Sequence, residues 1–410
     1  MAPVFALFRD VQASSNPGYL MSRPCPVCGA DNARSILEIQ NVQFYTDSAD
    51  PTKRVDVRQV QCRHCLTLYM NPAYSNQGFE VLFAQAGKSY GDGPSRPGEQ
   101  VEWLAAHGCL NDGKAVMDIG SFEGDFLARL PITGPRIGIE FDQGAVERAK
   151  ERHADAAFQF IQGRFEDFEF DGDVDCFTMF HVLEHLPDPV AVLKKLRQHA
   201  NSDTALIVEV PIVEQGDTND IHGFFSSQHL THFSRNTLAS ALARAGWRIE
   251  DAISISTYNG YRVLARPVEP SDSAHPDFTD QEALRGIMAS WQIAIRDMER
   301  RLDGLLTDDC ARVVIWGGGF HTEILYQHTS FFERLAEIPI AIVDGDASKQ
   351  GQSWRGVPIG VPDQIEDIDW RDTTLVVSSY GSQYKIRDVA VTLGVPEEAI
   401  ILLYDSLKIY

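Results

Sequence analysis

The chain is short of positive charge: 36 Lys and Arg stand against 58 Asp and Glu in 410 residues, a formal net charge of −22. This argues against nucleic acid as the main partner, because neutralising phosphates needs a basic face. Long apolar runs are missing as well, and none approaches the ~20 residues of a membrane-spanning helix. The N-terminus, MAPVFALFRD, has no basic segment leading into an apolar stretch. It therefore does not read as a secretory signal, and a cytoplasmic location without membrane contact is expected. Internal repeats and low-complexity tracts are also lacking. What remains is 44% hydrophobic and 10% aromatic, a globular composition long enough for two or three domains.

Cysteine is scarce too, with 7 in the chain, and it is unevenly spread. Cys25 and Cys28 form one C-x₂-C knuckle, Cys62 and Cys65 a second, with 33 residues between them. Each knuckle offers two sulfurs on one tight turn, and two knuckles complete a tetrahedron. A structural Zn²⁺ held by four thiolates is expected, with no open position for catalysis. A redox pair would need only one knuckle, and disulfides are rare in a cytoplasmic chain. His64 is the one obvious substitute ligand. Cys109, Cys176 and Cys310 are scattered and read as small buried apolar residues.

The most informative stretch runs from Ala115 to Phe126, AVMDIGSFEGDF. Its apolar start reads as a buried strand, which Gly120 ends, and the turn through Gly124 leads into a helix. Such a turn lets backbone approach a ligand closely. A phosphate loop is excluded because no Lys-Ser or Lys-Thr pair follows. A dinucleotide fingerprint fits poorly, because the two glycines stand four apart with Asp118 just before them. An acid beside the loop suits the cationic sulfonium and ammonium of S-adenosylmethionine (SAM) better than a pyrophosphate.

The following segments extend this reading. A second strand within residues 137–142 ends in Glu140, 22 residues after Asp118, where an acid can accept both ribose hydroxyls. A third strand at 158–161 leads to Phe165 and Glu166, which are placed to flank an adenine. A fourth at 175–180 runs into HVLEHLPDP, from His181 to Pro189. A fifth spans 205–211, and residues 247–255 and 261–267 form a closing antiparallel pair. This strand order and motif set resembles the class I SAM-dependent methyltransferases over about 75–267, roughly half the chain. The resemblance implies an α/β, Rossmann-like fold and a SAM site drawn from Asp118, Gly120, Phe122, Gly124, Glu140, Phe141, Phe165, Glu166 and His181. The alternative is a doubly wound domain that binds another nucleotide.

Three domains are expected. Residues 1–72 form the zinc module, with short strands at 55–60 and 67–70. Residues 73–267 form the methyltransferase domain, entered through a connector with Tyr69, Tyr74 and Tyr90 and a helix at 99–107. Residues 268–410 hold a bridging helix and a C-terminal Rossmann-like domain, after a linker at 266–276 rich in Pro, Ser and charge. The helix, 279–306, carries a narrow stripe of Leu284, Met288, Trp291, Ile295, Met298, Leu302 and Leu305. Docking on its own chain is preferred to a dimer seam, which leaves a monomer or a homodimer. In the last domain, strands are expected at 312–316, 338–344 and 374–379. Its turn holds Gly317 and Gly319, with Asp344 ending the next strand, but Thr322 stands where a dinucleotide fingerprint has its third glycine. No redox cofactor is expected there.

Zinc ribbon, class I methyltransferase, bridging helix and C-terminal α/β domain, in that order, resemble the sugar C-methyltransferase family over about 22–405. Its members methylate a carbon of nucleotide-linked 4-keto deoxysugars. The markers are the four cysteines, the loop 118–124, His181 to His185, and the stretch 223–234. Removing a proton beside a ketone needs a base, for which histidine is suited. The resemblance implies His229 as that base, in a loop where the family carries Tyr-x-Glu-His. Here Ser226 and Gln228 replace the Tyr and Glu. His181, His185 and Gln228 are further catalytic candidates, and His232, His222 and Tyr90 are candidates to fill the gaps. His321 reads as a polar loop residue or a phosphate contact. O- or N-methylation of a nucleotide sugar or a related small metabolite is the alternative. From a different class, an oxidoreductase or sugar-binding protein with a degenerate SAM domain remains, against which the intact Asp118, Glu140 and glycines count.

Overall fold

The computed structural model describes residues 5–7, 17–43, 54–83, 96–168, 174–218, 220–272, 277–305, 310–347, 349–405 and 407. Tyr90, with the rest of 88–93, lies outside the described residues. Seven strands build the central sheet and are numbered along the chain. They are β1 (Val116–Ile119), β2 (Arg136–Glu140), β3 (Phe158–Gln162), β4 (Cys176–Phe180), β5 (Ala205–Val210), β6 (Trp247–Ile255) and β7 (Gly260–Pro267). Their order is β3-β2-β1-β4-β5-β7-β6, with β1 to β5 parallel and β7 antiparallel to both of its neighbours. Every residue of β1 and β5 is buried, which is why these strands read as continuous apolar runs rather than alternating ones. The β6–β7 pair is anchored by Trp247, whose Nε1 donates to the Leu193 carbonyl at 2.9 Å.

The cysteine module contains a strand that sequence patterning missed. Ala33–Gln43 pairs antiparallel with Arg54–Cys62, and the register slips between Ser35 and Leu37 and again between Ile39 and Val42. Each bulge breaks the period of two on which strand recognition depends. Leu68–Met70 continues the sheet. The fourth member comes from far away in the sequence: Thr231–His232, in the segment after β5, pairs with Tyr69 and Leu68.

The C-terminal sheet runs Ser353–Trp354, Val357–Gly360, Pro339–Val343, Arg312–Trp316, Thr373–Val377 and Ile400–Leu402 in spatial order. Ala6–Leu7 joins it beside Pro339–Val343, although the sequence reading grouped these residues with the zinc module. The long helix is Phe278–Leu305. Its stripe of Leu284, Ile287, Trp291, Ile295, Met298 and Leu302 is buried in one cluster. That cluster also holds Val213 and Phe224 from the segment after β5, and Val313 and Phe320 from the C-terminal unit. Ile287 takes the place in the stripe that Met288 was expected to fill, and Met288 is only partly buried against it. Near Gly216 the approach is close enough that an added Cβ would lie 2.2 Å from Ile287 Cδ1. The helix thus docks on its own chain and joins the two sheets. Trp291→Ala, which empties the middle of this cluster, is expected to lower stability by about 3–5 kcal/mol. Urea unfolding followed by far-UV circular dichroism measures it.

Candidate functional site

The parallel strands reverse direction of winding between β1 and β4, and a cavity of about 850 Å³ opens at their carboxyl ends. The turn after β1 forms its floor. Gly120 has φ +78°, and a Cβ there would lie 2.3 Å from Val182 Cγ2. Gly124 also has positive φ, but it is not among the cavity-lining residues; a Cβ there would meet the Phe160 ring at 2.6 Å. Of the residues expected to bind SAM, Asp118, Gly120, Phe122, Glu140, Phe141, Phe165, Glu166 and His181 all line the cavity. Glu140 accepts the Phe122 amide at 3.0 Å on Oε2 and the Asp142 amide at 2.9 Å on Oε1. Both amides fix the carboxylate in place and leave each oxygen a further lone pair for a ligand hydroxyl. Asp118 is buried beneath the loop and accepts the Thr178 hydroxyl at 2.7 Å.

Arg96 and Gln100 also line the cavity, from a helix that starts at Arg96. The sequence reading began that helix at Glu99. Pro97 was the available signal, because proline favours the first turn of a helix. Arg96 lies over the Tyr258 ring, 3.9 Å from its centroid.

The inner end of the cavity is built from the segment after β4. His181 has φ +55°, an uncommon conformation for a residue with a side chain. Its ring stands between two buried acids, with Nδ1 3.5 Å from Glu184 Oε1 and Nε2 3.2 Å from Glu209 Oε1. Burial pulls the His181 pKa down, but the two carboxylates outweigh it and the net shift is upward. Glu209 is pinned by the Tyr258 hydroxyl at 2.7 Å and by Arg262 Nε at 2.6 Å. Burial pushes Glu209 up, and His181 with Arg262 overrides this, holding it at about 2.

His185 also lines the cavity, whereas His229 and Gln228 are not among its lining residues. The His229 ring centroid lies 5.1 Å from that of His185 and 5.9 Å from that of His232. Burial, with the neighbouring histidines, holds His229 well below the usual histidine range. Gln228 and Ser226 are buried, and the Gln228 carbonyl lies 3.0 Å from His185 Nδ1. His222 is 3.5 Å from Asp220, which in turn lies 3.4 Å from His321 Nε2 of the C-terminal unit. In that unit the Asp344 carboxylate accepts the Gly318 amide and Lys349 Nζ at 2.9 and 3.2 Å. Thr322, at the third-glycine position, donates its hydroxyl proton to Gly317 O and lies 2.8 Å from Ser378 Oγ.

The four cysteines converge. Cys25 Sγ lies 3.5 Å from Cys65 Sγ, and Cys28 Sγ lies 3.6 Å from Cys62 Sγ. Thiolates at about 2.3 Å from a tetrahedral zinc would be about 3.8 Å apart, so the donor set fits such an ion.

Burial pushes the Asp118 carboxyl up from 3.8 to about 7, with the Glu140 charge adding to it and the Thr178 hydroxyl opposing it. A cationic ligand favours the ionised form, so below this value Asp118 must lose a proton before SAM binds. SAM affinity is therefore expected to fall about tenfold from pH 8 to pH 6. Calorimetry measures this; Asp118→Asn should flatten the profile, and a flat wild-type profile would contradict it.

A family model described as a methyltransferase domain matches residues 95–252. No curated protein matches the chain. Among solved structures it is similar to a SAM-dependent methyltransferase from Mesorhizobium loti, at 13% identity over 40% of this chain and 97% of that one, with TM-score 0.36. It is also similar to the magnesium protoporphyrin IX methyltransferase of Synechocystis PCC 6803 with bound SAH, at 18% identity, 47% and 100% coverage and TM-score 0.38. For mitomycin 7-O-methyltransferase the identity is 19%, the coverage 47% and 63%, and the TM-score 0.37. With the strand order, glycine turn and paired acids described above, the domain match makes this chain a SAM-dependent methyltransferase, with a class I methyltransferase domain at its centre.

Proposed function

We propose that the enzyme transfers the SAM methyl group to a carbon beside the ketone of a nucleotide-linked deoxysugar. The observation that carries this reading is the carboxylate-backed histidine at the inner end of the SAM cavity. Glu209, itself held by Tyr258 and Arg262, lies 3.2 Å from His181 Nε2, an ion-pair separation that favours a proton on that nitrogen. Nδ1 then takes the proton from the carbon next to the ketone. The enolate carbon attacks the methyl group in line, the C–S bond breaks, and S-adenosylhomocysteine leaves. His181 lines the cavity, whereas His229 is one layer back, so His181 is the better acceptor.

The nucleotide is assigned to the glycine turn of the C-terminal sheet, because His321, in the first turn of the helix that follows, faces Asp220 in the segment after β5. A structural Zn²⁺ is assigned to Cys25, Cys28, Cys62 and Cys65, on the sulfur separations given above. O- or N-methylation is the second reading. It is favoured by Ser226 and Gln228, which stand in place of a tyrosine and a carboxylate and are both buried.

Mass spectrometry of products formed from SAM and nucleotide-linked keto and amino sugars in deuterated water separates the two. C-methylation predicts a product heavier by one methyl, with deuterium washing into the ketone-adjacent carbon when SAM is withheld. His181→Gln, assayed at saturating SAM, is expected to lose exchange and at least about 100-fold in turnover. A methylated product without exchange would assign the methyl to oxygen or nitrogen.

A further inference from the structure

At the inner end of the cavity stand His185, which lines it, and Glu184 and His229 behind it, none of which the proton-transfer scheme uses as an acceptor. One ligand-capable atom from each lies within 4.8 Å of those from the other two. Glu184 is 0% exposed, and neither of its carboxylate oxygens makes a hydrogen bond. Burying an ionised carboxylate is costly unless a partner compensates it. The imidazoles stand at ion-pair rather than hydrogen-bond separation, with His181 Nδ1 3.5 Å and His185 Nε2 3.8 Å from Oε1, and leave room for a bridging group.

Both histidines are oriented as metal-bound histidines are. The Gln228 carbonyl at 3.0 Å fixes a proton on His185 Nδ1 and leaves Nε2 turned toward Glu184. His229 is hydrogen-bonded to the Phe224 backbone, and its Nδ1 has no hydrogen-bond partner. One ring nitrogen held by backbone and the other left toward a carboxylate is the outer-shell pattern of metal sites. The two segments that carry these residues are joined directly, because the Leu230 amide donates to the Glu184 carbonyl at 2.8 Å.

We propose that Glu184, His185 and His229 bind a divalent transition-metal cation at the inner end of the SAM cavity. Two imidazoles and one carboxylate suit Mn²⁺, Fe²⁺, Co²⁺ or Zn²⁺, whereas Mg²⁺ and Ca²⁺ prefer oxygen ligands. Three protein ligands leave coordination positions open, and His185 lines the cavity, so a substrate oxygen can complete the shell. On the methyl-transfer reading, on which this role rests although the binding itself does not, that oxygen is the ketone or hydroxyl next to the methylated atom. The site is chemically distinct from the four-thiolate cluster, and a hard cation discriminates between them.

The test uses Mn²⁺ alone, titrated into the full chain and followed by electron paramagnetic resonance. One bound ion is expected, with two imidazole nitrogens coupled to it in the pulsed spectrum. Glu184→Gln and His229→Gln should each weaken binding about 10- to 100-fold, with SAM binding by calorimetry reporting that the variants are folded. Unchanged Mn²⁺ affinity in both variants would overturn the site. So would a wild-type spectrum without nitrogen coupling, or no bound ion at millimolar Mn²⁺; these wild-type results decide the matter even if the variants fail to fold. Absence of SAM binding by the wild-type chain would instead overturn the methyltransferase reading and leave the metal result standing.

Discussion

A two-residue strand ties the segment after β5 to the cysteine module. Thr231–His232 adds to the sheet of the cysteine module, pairing with Tyr69 and Leu68. Around it the Met70 amide and Arg23 Nη2 both donate to the Leu230 carbonyl, at 3.0 and 2.6 Å. The Tyr74 hydroxyl donates to the Ser227 carbonyl at 2.5 Å. On the opposite side the Leu230 amide is held by Glu184. Each such bond contributes only about 1 kcal/mol net, but together they remove the freedom of a segment that would otherwise be an irregular loop. The cysteine module is therefore more than an appendage. Cys62 ends the strand that pairs with Leu68–Met70, so whatever organises the four sulfurs also organises the segment carrying Gln228 and His229.

The same segment is held from its other side by packing. Phe224 and Phe225 enter the cluster formed by the long helix and the C-terminal sheet. Residues 211–234 thus touch the cysteine module, the central sheet and the C-terminal unit within a short span. A segment fixed by three bodies depends on the integrity of all three.

The central sheet was legible in the sequence because parallel strands buried on both faces read as apolar runs, and because Gly120 answers a backbone requirement that no other residue meets without meeting Val182. The cysteine cluster was legible from spacing alone. What escaped depends on tertiary context. Ala33–Gln43 lost its alternation to two bulges. Thr231–His232 is too short to carry any pattern and is a strand only because Tyr69 and Leu68 lie beside it. Arg96 was lost with the first turn of its helix, ahead of a glutamate that looked like a better start. Glu184 was overshadowed by the histidines on either side, since no feature of the sequence tells a compensated buried acid from an uncompensated one.

That last distinction separates the acids around the cavity. Glu209 is neutralised by Arg262, whose guanidinium is itself fully buried. Glu140 is stabilised by two backbone amides and lies where ribose hydroxyls would reach it. Asp118 is disfavoured as an anion by burial, and a cationic ligand restores its charge. Each of these three has its balance in the protein or in SAM. Glu184 has neither a guanidinium nor an amide, and it faces two imidazoles whose outer nitrogens are held by other groups. A sulfonium bound over Asp118 does not serve it. The proposed cation would stand beside Glu184 together with His181, and His185 and His229 would be its further ligands.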